Sequence, residues 1–281
     1  MQQQHSVCGF DSSESWVILS PIEMSIKQKI ESVGTPLKDW DIQINYGIKT
    51  GYNDAFIIST EKRDEILANC ATEEERTRTA ELIRPILRGR DIKRYAYEWA
   101  NLWLINTHNG VKGKIERIHI EDYPAVKAHL DLYWDKISKR ADKGDTPYNL
   151  RNCAYLEDFS KPKIVWGNLN IKAGYALVED FAFVNAPSPM IVPSSKYLLA
   201  VLNSKIADYY IRLLGVTRNG GYFEYKPMFV EKIPIPKNVD ESIISEIETS
   251  IAVKDEVKID ASIYNLYGLN KEEINFIENK N

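Results

Sequence analysis

Cysteine is scarce in this 281-residue sequence, and no apolar run approaches the length of a membrane span. The three cysteines (Cys8, Cys70 and Cys153) are odd in number and far apart, and none forms a Cys-x-x-Cys pair. This pattern argues against a disulfide framework or a zinc site, so we expect a reducing cytoplasm as the setting. A membrane helix needs about 18 consecutive apolar residues, which the chain lacks. The first five residues have neither the basic region nor the apolar core of a signal peptide.

Sequence patterns of common catalytic sites are also missing. There is no Gly-x-Gly-x-x-Gly, no P-loop and no Pro-Pro pair of the kind found in amino-methyltransferases. The four histidines show no metal-ligand spacing. Glu224-x-Lys226 and Glu256-x-Lys258 have the spacing of many metal-dependent nucleases, but neither has a convincing upstream aspartate. We therefore predict no catalytic residue and no metal site in this chain.

Charge is unevenly distributed along the sequence. The net charge is −4, yet the stretch from Asp240 to the end holds ten acids against four lysines and carries −6. The preceding residues 1–239 therefore carry about +2 and include locally basic clusters. This part could bind a polyanion, whereas the acidic end is expected to serve another role.

Hydrophobic periodicity predicts strands and helices interspersed along the chain, with a helical C-terminal appendage. We expect a disordered leader over residues 1–14, a main domain over 15–238 and an acidic helical tail over 239–281. The predicted strands are Ser15–Leu19, Asp41–Asn45, Ala55–Ile58, Trp103–Asn106, Lys163–Trp166, a hairpin over Tyr175–Val184 and an edge strand over Phe229–Pro236. The predicted helices are Pro21–Ser32, Glu61–Asn69, one capped by Thr72 that ends at Ile83, Ile120–Lys139, Lys196–Leu214 with Gly215 as its C-cap, and three in the tail.

The loop between Asn45 and Ala55 is the most informative stretch. Gly47 and Gly51 stand where the backbone can take positive φ or be approached closely. The loop presents a cation, a hydroxyl, an aromatic ring and an amide, which are the groups that bind phosphate and contact bases: Lys49, Thr50, Tyr52 and Asn53. On this segment alone, a hairpin with an ordinary polar tip is the more common explanation.

Four further loops combine basic, amide and aromatic residues. They contribute Arg88, Arg90 and Lys93 around the Gly89 turn, then Arg140, Lys143, Tyr148 and Arg151, then Asn168 and Asn170, then Arg218, Asn219 and Tyr222. Loops of this composition suit a surface that meets a partner. For the Gly89 turn, a solvated basic edge strand is an equally good interpretation.

Five segments in a fixed order resemble the TaqI-type C-terminal specificity domain. This is the target recognition domain fused to DNA adenine methyltransferases and type IIG restriction-modification enzymes. The segments run from Tyr46 to Phe56, Arg84 to Ile92, Lys161 to Trp166, Leu198 to Lys205 and Val230 to Pro236. The resemblance implies a mixed α/β domain (α+β, mixed sheet) that reads a short sequence in double-stranded DNA. Its chemistry would lie in the methyltransferase domain of the parent chain, where S-adenosylmethionine and Mg²⁺ would bind, so we assign no cofactor to this chain.

Under this hypothesis the basic side chains neutralise phosphates, while loop side chains enter a groove. The sixteen residues named on the five loops are the predicted DNA contacts. Two alternatives stay open. The chain could be a protein-interaction module that uses its acidic tail and exposed aromatics, or a stand-alone hydrolase that uses Glu224 or His108.

Overall fold

The computed structural model describes residues 19–179, 182–214 and 217–280. The predicted leader, most of the predicted strand Ser15–Leu19, and the predicted helix end at Gly215 lie outside these residues. The chain divides into two compact units. The helical unit comprises the chain up to Ile42, Leu169–Ala173 and everything from Ser195. The sheet unit comprises Gln43–Asn168 and Gly174–Ser194.

Both units mix helices and short strands, which confirms the predicted α+β class with helices at the C-terminal end. The helices are α1 (Pro21–Val33), α2 (Asn53–Phe56), α3 (Thr60–Ala68), α4 (Glu73–Leu82), α5 (Pro124–Asp131), α6 (Trp134–Ile137), α7 (Lys196–Asn203), α8 (Lys205–Leu214), α9 (Pro227–Val230), α10 (Glu241–Ala252), α11 (Glu256–Leu266) and α12 (Lys271–Lys280). The strands are β1 (Thr35–Pro36), β2 (Gln43–Tyr46), β3 (Ile57–Ser59), β4 (Ile83–Leu87), β5 (Ile92–Lys93), β6 (Ala96–Tyr97), β7 (Leu102–Ile105), β8 (Lys163–Trp166), β9 (Leu169–Asn170), β10 (Tyr175–Val178), β11 (Phe183–Val184), β12 (Pro189–Val192), β13 (Thr217–Arg218), β14 (Tyr222–Glu224) and β15 (Pro234–Ile235).

The sheet unit contains two four-stranded sheets and the β5–β6 ribbon. One sheet is antiparallel, in the order β10-β8-β12-β2, and the other is mixed, in the order β11-β4-β7-β3. The only parallel pair among these strands is β11 with β4, where Phe183 lies opposite Ile86. Their shared core is apolar and aromatic; the rings of Phe159 and Phe183 stack with centroids 4.6 Å apart.

The helical unit is built around α1, α7, α8 and the three C-terminal helices. Glu273 of α12 is buried and accepts hydrogen bonds from Ser25 Oγ and Lys29 Nζ of α1, both at 2.7 Å. Strands β13, β14 and β9 form a small antiparallel sheet, and β1 pairs with β15. The three predicted tail helices are thus present. Within this unit α10 packs on α7, α11 packs on α8, and α12 packs on α8 and bonds to α1. The domain boundaries expected after residues 14 and 238 remain predictions.

Several predicted elements differ from the structure. Asp41–Asn45 and Ala55–Ile58 do not form a hairpin, because β2 and β3 belong to different sheets and α2 lies between them. The hairpin over Tyr175–Val184 is also wrong, since β10 pairs with β8 and β11 pairs with β4.

The remaining differences are breaks within predicted elements. The helix from Lys196 breaks at Ser204, whose Oγ donates to Val201 O at 2.6 Å and accepts from Ala207 N at 3.2 Å. Ile120–Lys139 divides into a 3₁₀ turn followed by α5 and α6. The predicted edge strand over Phe229–Pro236 overlaps the end of α9 and keeps only β15 as strand.

Across residues 19–179, 182–214 and 217–280, no helix has both the length and the apolar content needed to cross a bilayer.

Candidate nucleic-acid interface

Three segments of the sheet unit surround an open pocket of about 440 Å³. The first is the loop between β2 and α2, the second follows α6, and the third connects β11 to β12. The lining residues are Lys49, Thr50, Gly51, Tyr52, Asn53, Asp142, Asn185, Ala186 and Pro187. The structure therefore brings together four residues predicted from the first loop and places them on one depression.

Backbone hydrogen bonds hold the first and third segments together. Gly47 N donates to Ser188 O at 2.8 Å, Ile48 N to Val184 O at 2.7 Å, and Ala186 N to Ile48 O at 3.0 Å. Because these donors and acceptors are satisfied within the protein, the loop keeps one shape. The side chains after Ile48 are thereby fixed above residues 185–187.

Arg140 connects the first segment to the second. Its side chain is buried, and its Nη1 donates to the carbonyl oxygens of Thr50 and Asp142. Its Nη2 donates to Pro147 O at 3.0 Å and Asn149 O at 2.6 Å. Burial lowers the pKa of this guanidinium to about 10, so it stays charged at neutral pH. The predicted DNA contact of Arg140 does not fit this position, because its charge serves four backbone carbonyls.

Gly51 forms a close contact with the second segment. Its φ is +70°, and a Cβ built on it would lie 2.5 Å from the carbonyl oxygen of Asp142. Only glycine takes this conformation at low cost and leaves room for the neighbouring backbone. The sequence-based expectation for Gly51 is confirmed, and its physical cause is the approach of residue 142.

One carboxylate and two cations lie at the pocket edge. Asp142 Oδ1 is 2.8 Å from Arg151 Nη1, and Asp142 Oδ2 is 3.7 Å from Lys49 Nζ. The side chains of Lys49 and Arg151 are 51% and 55% exposed, against 35% for Asp142. The two cations can therefore be reached from solvent while the carboxylate is held between them.

Polar and aromatic groups complete the rim. Thr50 is buried, and its Oγ1 donates to Asn53 Oδ1 at 2.6 Å, so the amide nitrogen of exposed Asn53 is left as a donor. Tyr52 is half-buried, with its ring centroid 6.1 Å from that of Tyr133. Partial burial, together with the Asp54 carboxylate, raises the pKa of the Tyr52 phenol. Tyr52 therefore offers a neutral ring and hydroxyl.

The three basic side chains predicted around Gly89 differ in their surroundings: an ion pair holds Arg88, whereas Arg90 and Lys93 are exposed. Arg88 forms a bidentate pair with buried Asp91, with Nη2–Oδ1 at 2.8 Å and Nε–Oδ2 at 3.0 Å. The Arg88 guanidinium holds the pKa of Asp91 below its usual range against the opposing effect of burial. Within the described chain Arg90 makes no ion pair, and Lys93 Nζ donates to Arg90 O at 2.8 Å. Arg90 and Lys93 are thus better placed than Arg88 to meet a phosphate.

Two further predictions on the second segment, Tyr148 and Lys143, fall on side chains with internal partners, and Asn168 lies after β8. Tyr148 OH donates to Asp131 Oδ1 at 2.5 Å, and its ring lies 5.3 Å from that of Trp134. Lys143 is exposed and donates to Ser138 O at 2.8 Å. The Oδ1 of Asn168 is buried and has no hydrogen-bond partner among the residues that the structure describes. Of these residues, Lys143 is the most open to solvent.

The other predicted residues belong to the small sheet of the helical unit. Arg218 and Lys226 both pair with buried Glu224, with Arg218 Nε 2.6 Å and Lys226 Nζ 2.6 Å from its carboxylate. These cations lower the pKa of Glu224. Asn219 and Tyr222 are exposed. Asn170 of β9 lies opposite Phe223 of β14. A hydrolytic role for Glu224 does not fit a carboxylate held by two cations.

The sequence analysis missed two features. Lys112 and Lys114 are exposed on a tight turn, and within the described residues neither makes an ion pair. Two backbone hydrogen bonds close the turn, from Val111 N to Ile115 O and from Ile115 N to Val111 O. The Val-Lys-Gly-Lys string was the available signal for this turn. The Asp142 carboxylate was also missed, because a lone acid among basic residues looks like ordinary surface.

Clusters of metal-ligating side chains are absent from residues 19–179, 182–214 and 217–280. No group of three or more His, Cys, Asp or Glu side chains there could hold a metal ion. Burial lowers the pKa of His108, whose Nδ1 accepts from Gly110 N at 3.2 Å.

Comparison with known proteins identifies the family. The model of the TaqI-like C-terminal specificity domain matches residues 84–235, more than half of the chain. The chain belongs to this family. The match includes Asp142, Arg151 and the Asn185 segment of the pocket, whereas the loop from Gly47 to Asn53 precedes it.

Two curated relatives extend the similarity of this specificity domain along most of its length. The type II methyltransferase M.PaeR7I of Pseudomonas aeruginosa is 21% identical over 272 residues, covering 94% of this chain and 44% of the relative. The type II methyltransferase M.XhoI of Xanthomonas vasicola is 20% identical over 271 residues, covering 94% and 47%. The specificity domain thus spans about half the length of the curated relatives it matches.

A solved structure supports the fold of the specificity domain. The type IIL restriction-modification enzyme MmeI, solved in complex with DNA, superposes with a TM-score of 0.61 at 12% identity. The superposition covers 86% of this chain and 35% of that one. At this identity the similarity concerns the fold alone.

Proposed function

We propose that this chain recognises a short DNA sequence as the specificity part of a restriction-modification DNA adenine methyltransferase. The observation that carries the proposal is the pocket rim of the sheet unit. There, the exposed cation Lys49, an aromatic ring and an exposed amide line one depression on a member of the specificity-domain family, and a second exposed cation, Arg151, pairs with Asp142 of the lining.

The chemistry of the rim divides between affinity and sequence reading. Lys49, Arg151 and Arg90 would contact phosphates, which supplies affinity but no sequence information. Asn53 would read a base edge, since an amide can make two hydrogen bonds to adenine in the major groove. Tyr52 would pack on a sugar or base beside it. Lys112 and Lys114 extend the same kind of phosphate contact to the nearby turn.

The catalytic chemistry is assigned to a part of the parent protein other than this chain. Both curated relatives are type II methyltransferases about twice as long as the matched region. S-adenosylmethionine, and Mg²⁺ if the parent also cleaves, would bind in that other part, and the chain itself would be non-catalytic. Its partners would be double-stranded DNA and the methyltransferase domain, in the cytoplasm.

A binding selection tests the proposal. The purified chain is mixed with a random duplex pool, and binding is followed by fluorescence anisotropy at low and moderate salt while bound duplexes are sequenced. We expect salt-sensitive binding and an enriched motif. Asn53→Ala should relax the motif at one position, at a cost of about 1–3 kcal/mol for the preferred base. Lys49→Ala should weaken all duplexes alike.

Matched controls separate recognition from its alternative. Lys62 also pairs with a carboxylate, that of Glu65, but lies on α3 outside the pocket, so Lys62→Ala should leave binding unchanged. Equal effects of Lys62→Ala and Lys49→Ala would mean non-specific charge attraction. Absence of any binding at low salt would favour the protein-interaction module.

A further inference from the structure

The arrangement of Asp142 between Lys49 and Arg151 has a consequence beyond DNA recognition itself. A carboxylate oxygen and a phosphate oxygen are both anionic hydrogen-bond acceptors that a lysine or arginine can bind. Asp142 Oδ1 and Oδ2 hold one cation each, at 2.8 Å and 3.7 Å. The carboxylate thus stands where a DNA phosphate would meet the same two side chains.

The protein backbone fixes Asp142 in this place without using its carboxylate. Its carbonyl oxygen accepts from Arg140 Nη1 at 2.8 Å, and its main chain lies against Gly51, which has no side chain to push it away. Arg140 is buried and bonded to three further carbonyls, so it does not move aside at low cost. Removing the carboxylate charge should therefore leave the local fold unchanged.

We propose that Asp142 is an internal competitor for DNA phosphate that suppresses non-specific binding at this pocket. On DNA of the wrong sequence, a phosphate must displace Asp142 and gains little beyond the ion pairs that it breaks. On the target sequence, base contacts supply additional free energy, so displacement becomes favourable. Displacing Asp142 costs the same free energy on every sequence, so the residue weakens non-specific complexes below a useful affinity, while a target whose base contacts exceed that cost stays bound.

The inference rests on the proposed function, because it assumes that Lys49 and Arg151 meet phosphates. The test variant is Asp142→Asn, which keeps the size of the side chain and removes its charge. The control is Asp145→Asn, which makes the same charge change on the same loop but breaks a pair with Arg117, 3.2 Å away, instead.

We measure binding of both variants to a fixed duplex of arbitrary sequence by anisotropy, across a salt series. Since exposed ion pairs are individually weak, Asp142→Asn should bind this duplex about 3- to 10-fold more tightly at low salt than Asp145→Asn. The logarithmic salt dependence should steepen by about 1 to 2, as expected for one or two additional phosphate contacts. Adding Lys49→Ala and Arg151→Ala to Asp142→Asn should remove both gains.

Each other outcome overturns a defined statement. If the wild-type chain binds DNA and Asp142→Asn binds no more tightly than Asp145→Asn, Asp142 is not a competitor. If Asp142→Asn binds more weakly, the carboxylate itself contacts DNA, and the inference is wrong. If neither wild type nor Asp142→Asn binds at low salt, the proposed function fails together with the inference. Unchanged urea midpoints exclude a folding effect.

Discussion

The guanidinium of Arg140 donates to the main-chain carbonyl of Thr50, 90 residues earlier in the sequence. The same group lies 4.4 Å from the centre of the Phe56 ring and donates to three carbonyls of its own loop. One buried cation therefore sets the relative positions of two loops that line the pocket.

Replacement of Arg140 should destabilise the protein rather than merely weaken DNA binding. Arg140→Ala leaves buried carbonyls without donors and should lower the free energy of unfolding by about 3 kcal/mol. Arg140→Lys should recover only part of this loss, because an ammonium cannot reproduce the planar fork. Urea unfolding measures both. The adjacent Lys139 is exposed, so Lys139→Ala should stay within about 0.5 kcal/mol of wild type. Equal effects of the two alanine variants would contradict this role.

Gly51 and Gly113 form a natural pair for separating steric contact from backbone strain. Both have positive φ, +70° and +76°, but only Gly51 faces a backbone atom within 4 Å. Gly113→Ala should cost about 1 kcal/mol from its left-handed conformation alone. Gly51→Ala should cost about 2–3 kcal/mol in urea unfolding and should also displace Asp142. A smaller loss for Gly51→Ala than for Gly113→Ala would mean that the loops separate freely.

The two arginines of the basic turn should behave differently. Arg88→Ala leaves the buried Asp91 carboxylate without its guanidinium and should reduce stability by about 1–3 kcal/mol. Arg90→Ala should change the unfolding free energy by less than about 0.5 kcal/mol while lowering the salt dependence of DNA binding by about 1. Denaturation and anisotropy on the same samples distinguish the two. A stability loss of similar size in both variants would remove the distinction.

Buried His129 should make stability depend on pH in the weakly acidic range. Its Nε2 lies 3.0 Å from Ala55 O and donates to it, and burial lowers the pKa of the imidazole below its ordinary value of 6.5. As the pH falls below about 6.5, the unfolded chain binds a proton that the folded chain does not. The contribution of His129 to the free energy of unfolding is therefore complete above that pH. It is lost as the pH falls towards the lower pKa of the folded state, by at most about 1.4 kcal/mol per pH unit.

The measurement compares urea unfolding at pH 7.5 and pH 5.5. His129→Gln should be less stable than wild type at pH 7.5, and the difference should shrink at pH 5.5. His119 is exposed, so His119→Gln serves as the control and should not change the profile. An unchanged difference for His129→Gln would show that the imidazole titrates alike in both states.

Local patterns predicted the elements that depend on local interactions. Lys163–Trp166 was predicted with the observed bounds because the apolar run Ile164-Val165-Trp166 stands between polar turns. The helix after Thr72 was predicted from its cap, and Thr72 Oγ1 indeed accepts from Glu75 N at 3.1 Å. Apolar periodicity missed the break at Ser204, because a serine can bond to nearby backbone in place of the helix.

Interactions between distant segments explain the remaining errors at the site. A basic residue in a polar loop usually lies on the protein surface, so Arg140 was predicted as a DNA contact. In the structure it is buried and donates to carbonyl oxygens of two loops. Ala55 and Phe56 were predicted as the start of a strand, yet they end helix α2, and His129 from α5 bonds to Ala55 O. Neither contact can be read from spacing, because each partner lies more than 70 residues away.

The path of the chain has a consequence for exchanging specificities between relatives. The sheet unit is inserted into the helical unit, and Leu169–Ala173 returns to the helical unit in the middle of that insertion. A chimaera that swaps residues 43–194 as one block would also import a foreign β9, the strand that pairs with β14 of the recipient. Hybrids that keep the recipient's own residues 169–173 preserve that pairing, so productive recombination needs four junctions instead of two.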